Sequence, residues 1–264
     1  RFTESGGGAS ANVFEDLVFD WNSGTPLTAV RLSVGPRKLY EADANNDWPI
    51  IRGCRFVGYE YAGLRFNGSQ IHSALIENCD FANYARSGQY GIAWDYGVFG
   101  HVRRCAFTGN KTSDVYAAGN AVSLRLEGCN SENSNAFLVT GNSAASWPIE
   151  ISWLRWDGRG VEGGKGTPVI CNRHAGPLTV TNSVIGCPLG GFPEIAVDNP
   201  QGVLRMDRTS FASWSDPSKR AMVRQWGKDC DAKADACDVT WVRPGANAWP
   251  KYRSEERRVG KECL

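Results

Sequence analysis

The chain of 264 residues carries 29 basic and 28 acidic residues, for a formal net charge of +1, and 42% of its residues are hydrophobic. Because the charges nearly balance and the body contains no basic run, we expect no nucleic-acid partner. No apolar run approaches the roughly 18 residues that a membrane-spanning helix needs, so we expect no membrane partner either. Thirty glycines and ten tryptophans are typical of a turn-rich all-β chain.

The N-terminal region contains a glycine-rich loop followed by one recognisable strand pattern, VFEDLVFDW, at residues 13–21. The chain starts at Arg1 without a Met or a signal sequence, so we expect its natural N-terminus to be missing or processed. Residues 22–46 interrupt the pattern. We interpret them as a long insertion, a loop that carries one pair of strands.

A repeat follows, written four times as IIRGCRF, ALIENCDF, HVRRCAF and LRLEGCN. Cysteine and phenylalanine recur two positions apart, which is the period of a strand with one buried face. The residue before each cysteine is turn-tolerant or polar, so we predict a bend there. A second apolar strand is predicted at 63–66, 91–94, 120–124 and 136–139. The four cysteines, at steps of 25, 26 and 24 residues, are Cys54, Cys79, Cys105 and Cys129.

We call the two buried positions of each unit the cysteine slot and the phenylalanine slot. The same two slots recur outside the cysteine units, where other residues occupy them. They hold Leu17 with Phe19 upstream, then Leu154 with Trp156, Ser183 with Ile185, and Thr209 with Phe211 downstream. A unit of about 25 residues cannot bury its apolar face alone, so such units stack. The sequence predicts an all-β parallel solenoid of about eight coils over residues 1–214.

These strands, the coil length and the asparagines near turns (Asn78, Asn130, Asn182) resemble the pectin-lyase-like right-handed parallel β-helix superfamily. The resemblance covers about residues 10–215. The leucine-rich-repeat frame is absent, which argues against a leucine-rich horseshoe. The resemblance implies an extracellular or cell-surface protein whose partner is a polysaccharide or cell-surface glycan, commonly an acidic one. The motifs of polygalacturonases and pectate lyases are absent, so neither activity is carried over.

The remaining cysteines and the C-terminal region depart from the repeat. The repeat cysteines predict an interior ladder of small apolar side chains, whereas Cys230 and Cys237 form a local disulfide or remain reduced. Residues 215–252 are predicted to be irregular or short-helical, with Asp216 as a helix cap that helps to cover the end of the rod. Residues 253–263 resemble a translated sequencing adapter, and 253–264 are interpreted as a non-native tail.

Chemistry-bearing residues concentrate in the third and fourth coils. Ile92 and Trp94 are expected inside, which turns Asp95 outward, and Arg65 is expected outward one coil earlier. The candidate catalytic residues are Asp95, Asp114, Arg65 and His101, and the candidate substrate-binding residues are Tyr90, Tyr96 and Tyr116. No cofactor is expected, although paired outward carboxylates leave calcium open.

Two functions remain open from the sequence. One is a polysaccharide lyase or glycoside hydrolase on an acidic polysaccharide. In a lyase, arginine neutralises a uronate carboxylate while a tyrosine, histidine or arginine moves the proton. In a hydrolase, Asp95 and Asp114 would act as acid and base if their carboxyl groups lie roughly 5–9.5 Å apart. The other function is a non-catalytic β-helix, an adhesin or a tailspike-like glycan-binding rod.

Overall fold

The computed structural model describes residues 13–20, 28–32, 49–66, 71–84, 88–118, 123–141, 147–158, 167–187, 196–199, 202–213, 221–225, 233–235 and 239–241. In this part of the chain all regular elements are β-strands, and they form three parallel sheets. Each strand inside a sheet pairs with the strand one coil before it and the strand one coil after it, and the first and last described strands of each sheet pair on one side only. The predicted all-β parallel solenoid is therefore confirmed.

Each coil contributes one strand to each sheet, except that the last coil has no described strand in sheet B; strands are numbered in chain order. Sheet A contains β1 (Val13–Glu15), β4 (Ile50–Arg52), β7 (Ala74–Glu77), β10 (Phe99–Arg103), β13 (Ser123–Glu127), β16 (Ile149–Ser152), β19 (Leu178–Thr181), β22 (Leu204–Asp207) and β25 (Lys233–Asp235). Sheet B contains β2 (Val18–Asp20), β5 (Arg55–Val57), β8 (Asp80–Ala82), β11 (Ala106–Thr108), β14 (Asn130–Glu132), β17 (Arg155–Asp157), β20 (Val184–Cys187) and β23 (Ser210–Ser213). Sheet C contains β3 (Thr28–Leu32), β6 (Ala62–Phe66), β9 (Tyr90–Trp94), β12 (Ser113–Ala117), β15 (Leu138–Thr140), β18 (Ile170–Cys171), β21 (Val197–Asn199), β24 (Ala221–Gln225) and β26 (Val239–Trp241).

The core lies inside the coils and consists of side-chain ladders. In sheet B the phenylalanine slot stacks ring on ring, with centroids 4.8 Å apart between Phe56 and Phe81 and 5.1 Å apart between Phe81 and Phe107. Further along the same row, Trp156 pairs in register with Ile185. These pairings confirm the slots that the sequence predicted, both within the cysteine units and beyond them.

A row of turn residues connects sheets A and B, one immediately before each cysteine-slot residue. All eight have a left-handed backbone, with φ between 46° and 63°. They are Asp16, Gly53, Asn78, Arg104, Gly128, Trp153, Asn182 and Arg208. The predicted bend is therefore present in each of these coils, and we call these residues the turn row. Glycine and asparagine tolerate this conformation best, because other side chains crowd the following carbonyl there.

One strand prediction is wrong in the first half of the chain, and another is tested only in part. The sequence predicted the second apolar strand of the Cys105 coil at 120–124, but that strand is β12, and residues 123–127 belong to sheet A. The prediction missed β12 because its first two residues, Ser113 and Asp114, are polar and hide its apolar pattern. The described residues of the insertion at 22–46 form β3, which belongs to the first coil and pairs with β6. The other residues of the insertion lie outside the described part of the chain, so the second strand of the predicted pair stays a prediction.

The C-terminal region also differs from its prediction. Residues 221–225, expected in a short helix, form β24, which pairs in parallel with β21. β25 and β26 then add to sheets A and C, so the stack continues past residue 214 and the coil count differs from the predicted eight. Backbone pairing with the strand of the preceding coil outweighs the local helix signal of this segment. Cys230, Cys237 and residues 253–264 lie outside the described residues.

Candidate functional site

Arg65 and Asp95 form an ion pair on the outer face of sheet C. Arg65 points outward between the buried side chains of Leu64 and Phe66, and Asp95 directly follows β9. The Arg65 Nε donates a hydrogen bond to the Asp95 Oδ2 at 2.6 Å, and the Nη2 contacts the same oxygen. The two side chains are 28% and 15% exposed, so the pair is partly shielded from water but reachable.

Three tyrosine rings continue from this ion pair across neighbouring coils. The Arg65 guanidinium lies 5.0 Å from the centre of the Tyr61 ring. Tyr61 meets Tyr90 edge to face at 5.3 Å, and Tyr90 stacks on Tyr116 at 4.5 Å. Tyr90 and Tyr116 were candidates from the sequence, but Tyr61 was not. We call Tyr61, Arg65, Tyr90, Asp95 and Tyr116 the tyrosine face.

The surroundings of Tyr61 and Tyr90 keep these two phenols protonated. Burial, followed by the charges of neighbouring Tyr116, Tyr61 and Asp95, raises the pKa of Tyr90 to about 12. Burial and the Asp95 charge also raise the pKa of Tyr61, and the Arg65 charge only partly offsets this. Both side chains therefore act as rings with a hydroxyl group, rather than as bases, near neutral pH.

Asp114 does not belong to this face, contrary to the prediction. Its side chain is 0% exposed and lies inside the solenoid, where Asn110 Nδ2 donates to its Oδ1 at 2.8 Å. The same amide accepts a 2.7 Å hydrogen bond from the Tyr59 hydroxyl through its oxygen. If side chains alternated strictly along β12, the Asp114 side chain would point outward next to the buried Val115. The strand departs from this pattern, because its first three residues are all buried.

Burial dominates the electrostatics of Asp114. It raises the pKa of this carboxyl to about 7, although the nearby polar side chains of Ser131, Ser134 and Asn110 act in the opposite direction. Among the described residues, only Asn110 makes a hydrogen bond to it, and the Asp114 Oδ2 has no hydrogen-bond partner. The acid/base pair that the sequence suggested with Asp95 is therefore wrong, because the two carboxyl groups lie on opposite sides of the sheet C wall. Asp114 instead belongs to an internal polar cluster.

His101 also lies away from the tyrosine face. It is in β10 of sheet A, where its Nε2 is 3.3 Å from the Glu127 Oε2. Although only six residues separate it from Asp95, the chain turns from sheet C to sheet A between them. His101 faces a ladder of alternating charges on sheet A instead. The ladder runs, one residue for each coil, through Glu15, Arg52, Glu77, Arg103 and Glu127.

Tyr96 is the last candidate from the sequence. Its side chain is 49% exposed, one residue beyond Asp95, and its backbone N–H donates to the Phe66 carbonyl at 3.4 Å. Among the described aromatic residues, no ring contact joins Tyr96 to the three tyrosines of the face. It lies at the border of the site.

The described residues contain no group of three or more histidine, cysteine, aspartate or glutamate side chains that could share a metal ion. No helix in the described part of the chain is long and apolar enough to cross a membrane.

No protein-family model, no curated protein and no solved structure matches this chain. A function must therefore be argued from the geometry of the site itself.

Proposed function

We propose that this chain is a glycan-binding β-solenoid protein of the cell surface or extracellular space, and that the tyrosine face binds the sugar. The observation that carries the proposal is the continuous contact of three tyrosine rings beside an arginine–aspartate pair on one outer face. We also propose that the chain is related to the pectin-lyase-like superfamily. The parallel solenoid supports this relationship at the level of overall architecture.

Aromatic rings suit sugars because a sugar ring has an apolar face of C–H groups and a rim of hydroxyl groups. Tyrosine offers an apolar ring together with a polar tip, at a low cost in conformational entropy. Consecutive layers of the solenoid lie about 4.8 Å apart. The facing surfaces of Tyr90 and Tyr116 are stacked on each other, so an oligosaccharide that lies along the solenoid axis would contact the outer edges and hydroxyl groups of successive rings.

The ion pair indicates which sugars fit. Arg65 and Asp95 neutralise each other, and together they present hydrogen-bond donors and acceptors side by side. Sugar hydroxyl groups both donate and accept, so they match such a pair. An acidic sugar would have to displace Asp95 or lie against its charge, which costs affinity. The site therefore favours a neutral glycan over the acidic polysaccharide expected from the sequence.

The same geometry favours binding over hydrolysis. Glycoside hydrolysis normally needs two carboxyl groups roughly 5–9.5 Å apart on either side of the bond. Within the described part of the outer face of sheet C, Asp95 contacts Arg65, and Asp114 is enclosed in the core. Lyase or hydrolase activity is therefore one of the outcomes that the polysaccharide panel below distinguishes from binding.

The test is a binding panel of neutral polysaccharides (cellulose, xylan, mannan) and acidic ones (pectate, alginate, chondroitin). We expect the wild-type protein to bind a neutral member, and Tyr90→Ala to weaken that binding about tenfold, which corresponds to about 1.4 kcal/mol. The control is Tyr84→Ala, because Tyr84 is 68% exposed and outside the face. Equal binding by both variants would overturn the proposal.

A second variant tests the role of the ion pair. Asp95→Asn removes the charge that neutralises Arg65, so we expect it to shift preference towards the acidic polysaccharides. Product formation is followed in the same samples through chain length and unsaturated sugar ends. Cleavage by the wild type that Asp95→Asn abolishes would replace binding with catalysis as the function of this face.

A further inference from the structure

The aromatic ladder inside sheet B is interrupted by a serine. The phenylalanine slot holds Phe56, Phe81 and Phe107 in three consecutive coils, and it holds Ser131 and then Trp156 in the next two. Ser131 is 0% exposed, so its small polar side chain lies where the preceding coils carry an aromatic ring. The ladder therefore contains one step at which a buried hydroxyl group replaces a large apolar side chain.

Three polar atoms beside this step have no hydrogen-bond partner within the described part of the chain. They are the Ser131 Oγ, the Asp114 Oδ2 and the Trp156 Nε1, and all three are buried. Polar groups at this depth are almost always hydrogen-bonded, because burial removes their contacts with solvent and an unpaired group gains nothing in return. Three such atoms in consecutive coils therefore indicate a site for a partner that pairs with them.

The three side chains meet near the corner where sheet B turns into sheet C. Burial raises the pKa of Asp114, and the Ser131 side chain is close enough to oppose that effect. Trp156 follows in register with Ser131 one coil later. Its indole ring fills the space beside Gly158, where an added Cβ would overlap the ring, and Gly158 is the first residue after β17. The indole is therefore directed towards the same corner.

The chemistry of these atoms selects a small neutral partner that both donates and accepts hydrogen bonds. The Trp156 N–H can only donate, which disfavours a cation, and the Asp114 carboxyl group disfavours an anion. The Ser131 hydroxyl can donate or accept. Water meets all three requirements, and it is small enough to be held inside a protein by two to four polar groups.

We infer that Asp114, Ser131 and Trp156 bind one internal water molecule. The water accepts a hydrogen bond from the Trp156 N–H, donates one to the Asp114 Oδ2, and makes its third with the Ser131 hydroxyl. Three hydrogen bonds are typical of a buried water in a folded protein. The site does not depend on the protonation state of Asp114, because water can also accept from a protonated carboxyl group.

Ser183 shows that a buried serine in this solenoid does not by itself require a water. It lies in the cysteine slot and is 1% exposed. Its hydroxyl donates to the Thr181 carbonyl at 2.8 Å and accepts from the Leu154 N–H at 3.1 Å. The protein alone satisfies this hydroxyl, so Ser183 is a matched control for Ser131.

A crystal structure of the wild-type protein, at a resolution that shows ordered water, tests the site directly. We expect one water within about 3.2 Å of the Ser131 Oγ, the Asp114 Oδ2 and the Trp156 Nε1. A structure in which these atoms pair with one another or with other protein groups, with no water between them, would overturn the inference. This result decides the matter even if a variant fails to fold.

Oxygen-17 magnetic relaxation dispersion tests the same site in solution, because it counts long-lived internal waters and is insensitive to hydroxyl protons. The test variant is Ser131→Val, whose methyl groups fill the site, and the control is Ser183→Ala. We expect Ser131→Val to lower the count by one relative to wild type and Ser183→Ala to leave it unchanged, while both keep the wild-type circular dichroism spectrum. Equal counts in wild type and Ser131→Val, or the same loss in Ser183→Ala, would contradict the inference.

Discussion

Asp114 provides the sharpest prediction about stability. Its carboxyl group is enclosed among Asn110, Ser131 and Ser134, and burial raises its pKa from the usual 3.8 to about 7. The folded state therefore binds a proton that the unfolded chain releases between these two values. This contribution to stability is complete below about pH 4 and is lost as the pH rises through about 7.

The magnitude follows from the pKa shift. Each pKa unit corresponds to about 1.4 kcal/mol, so a rise of about three units amounts to at most about 4 kcal/mol. Asp114→Asn replaces the carboxyl group with a neutral amide of the same shape, which removes the titration. We expect the free energy of unfolding of the variant, relative to wild type, to improve by up to about 4 kcal/mol between about pH 4 and pH 8.

The assay is urea unfolding of both proteins, followed by tryptophan fluorescence across this pH range. Subtraction of the wild-type curve cancels the groups that titrate in both proteins. Asp207→Asn is the control, because Asp207 is partly exposed and paired with Arg208 at 2.9 Å. Loss of such an exposed ion pair should change the free energy of unfolding by at most about 1 kcal/mol. A constant difference between Asp114→Asn and wild type would refute the reasoning.

Three further variants test the core and the turn row by urea unfolding. Phe81→Ala should cost about 3–5 kcal/mol, because Phe81 stacks on both sides in the aromatic ladder; a cost below about 1 kcal/mol would contradict the ladder. Gly91→Ala should cost about 1–3 kcal/mol, because its Cβ would lie 2.6 Å from the Phe107 ring and 2.8 Å from a backbone oxygen. An unchanged midpoint would argue against that packing. Trp153→Asn should raise stability by up to about 1 kcal/mol, since asparagine tolerates left-handed φ, as Asn182 does one coil later; a loss of stability would show that the exposed tryptophan makes a contact of its own.

The sequence predicted the solenoid because its repeat is carried by buried positions. The cysteine and phenylalanine slots recur at nearly constant spacing, and a strand with one buried face leaves that period in the sequence. Even Ser183 and Thr209, which are polar residues in this slot, could be placed by spacing alone. Their hydroxyl groups make the same kind of hydrogen bond to a carbonyl that the thiols make.

The site was harder to predict because it depends on departures from that period. Asp114 points inward where alternation predicts outward, and His101 lies beyond a corner although it is close to Asp95 in sequence. Tyr61 precedes its strand, so a search for strand residues missed it. Its signal is the Tyr-Glu-Tyr sequence before β6, which places an aromatic residue one coil before Tyr90.

The C-terminal strands illustrate a competition between local and non-local preferences. Asp216 and Pro217 are favourable at a helix start, and this local signal led to the helix prediction. β24 instead pairs in parallel with β21 and continues sheet C. The last coil of a solenoid has unpaired strand edges, with which the following segment can form backbone hydrogen bonds. These hydrogen bonds outweigh a weak helix propensity.

The central claim is that a neutral glycan lies on the tyrosine face, and hydroxyl-radical footprinting tests it most directly. Tyrosine oxidation would be measured with and without neutral oligosaccharides of the cellulose, xylan and mannan series. The account predicts that a bound oligosaccharide protects Tyr61, Tyr90 and Tyr116, while Tyr84 is oxidised as before. Binding that leaves these three rings unprotected, or that protects Tyr84 instead, would contradict it.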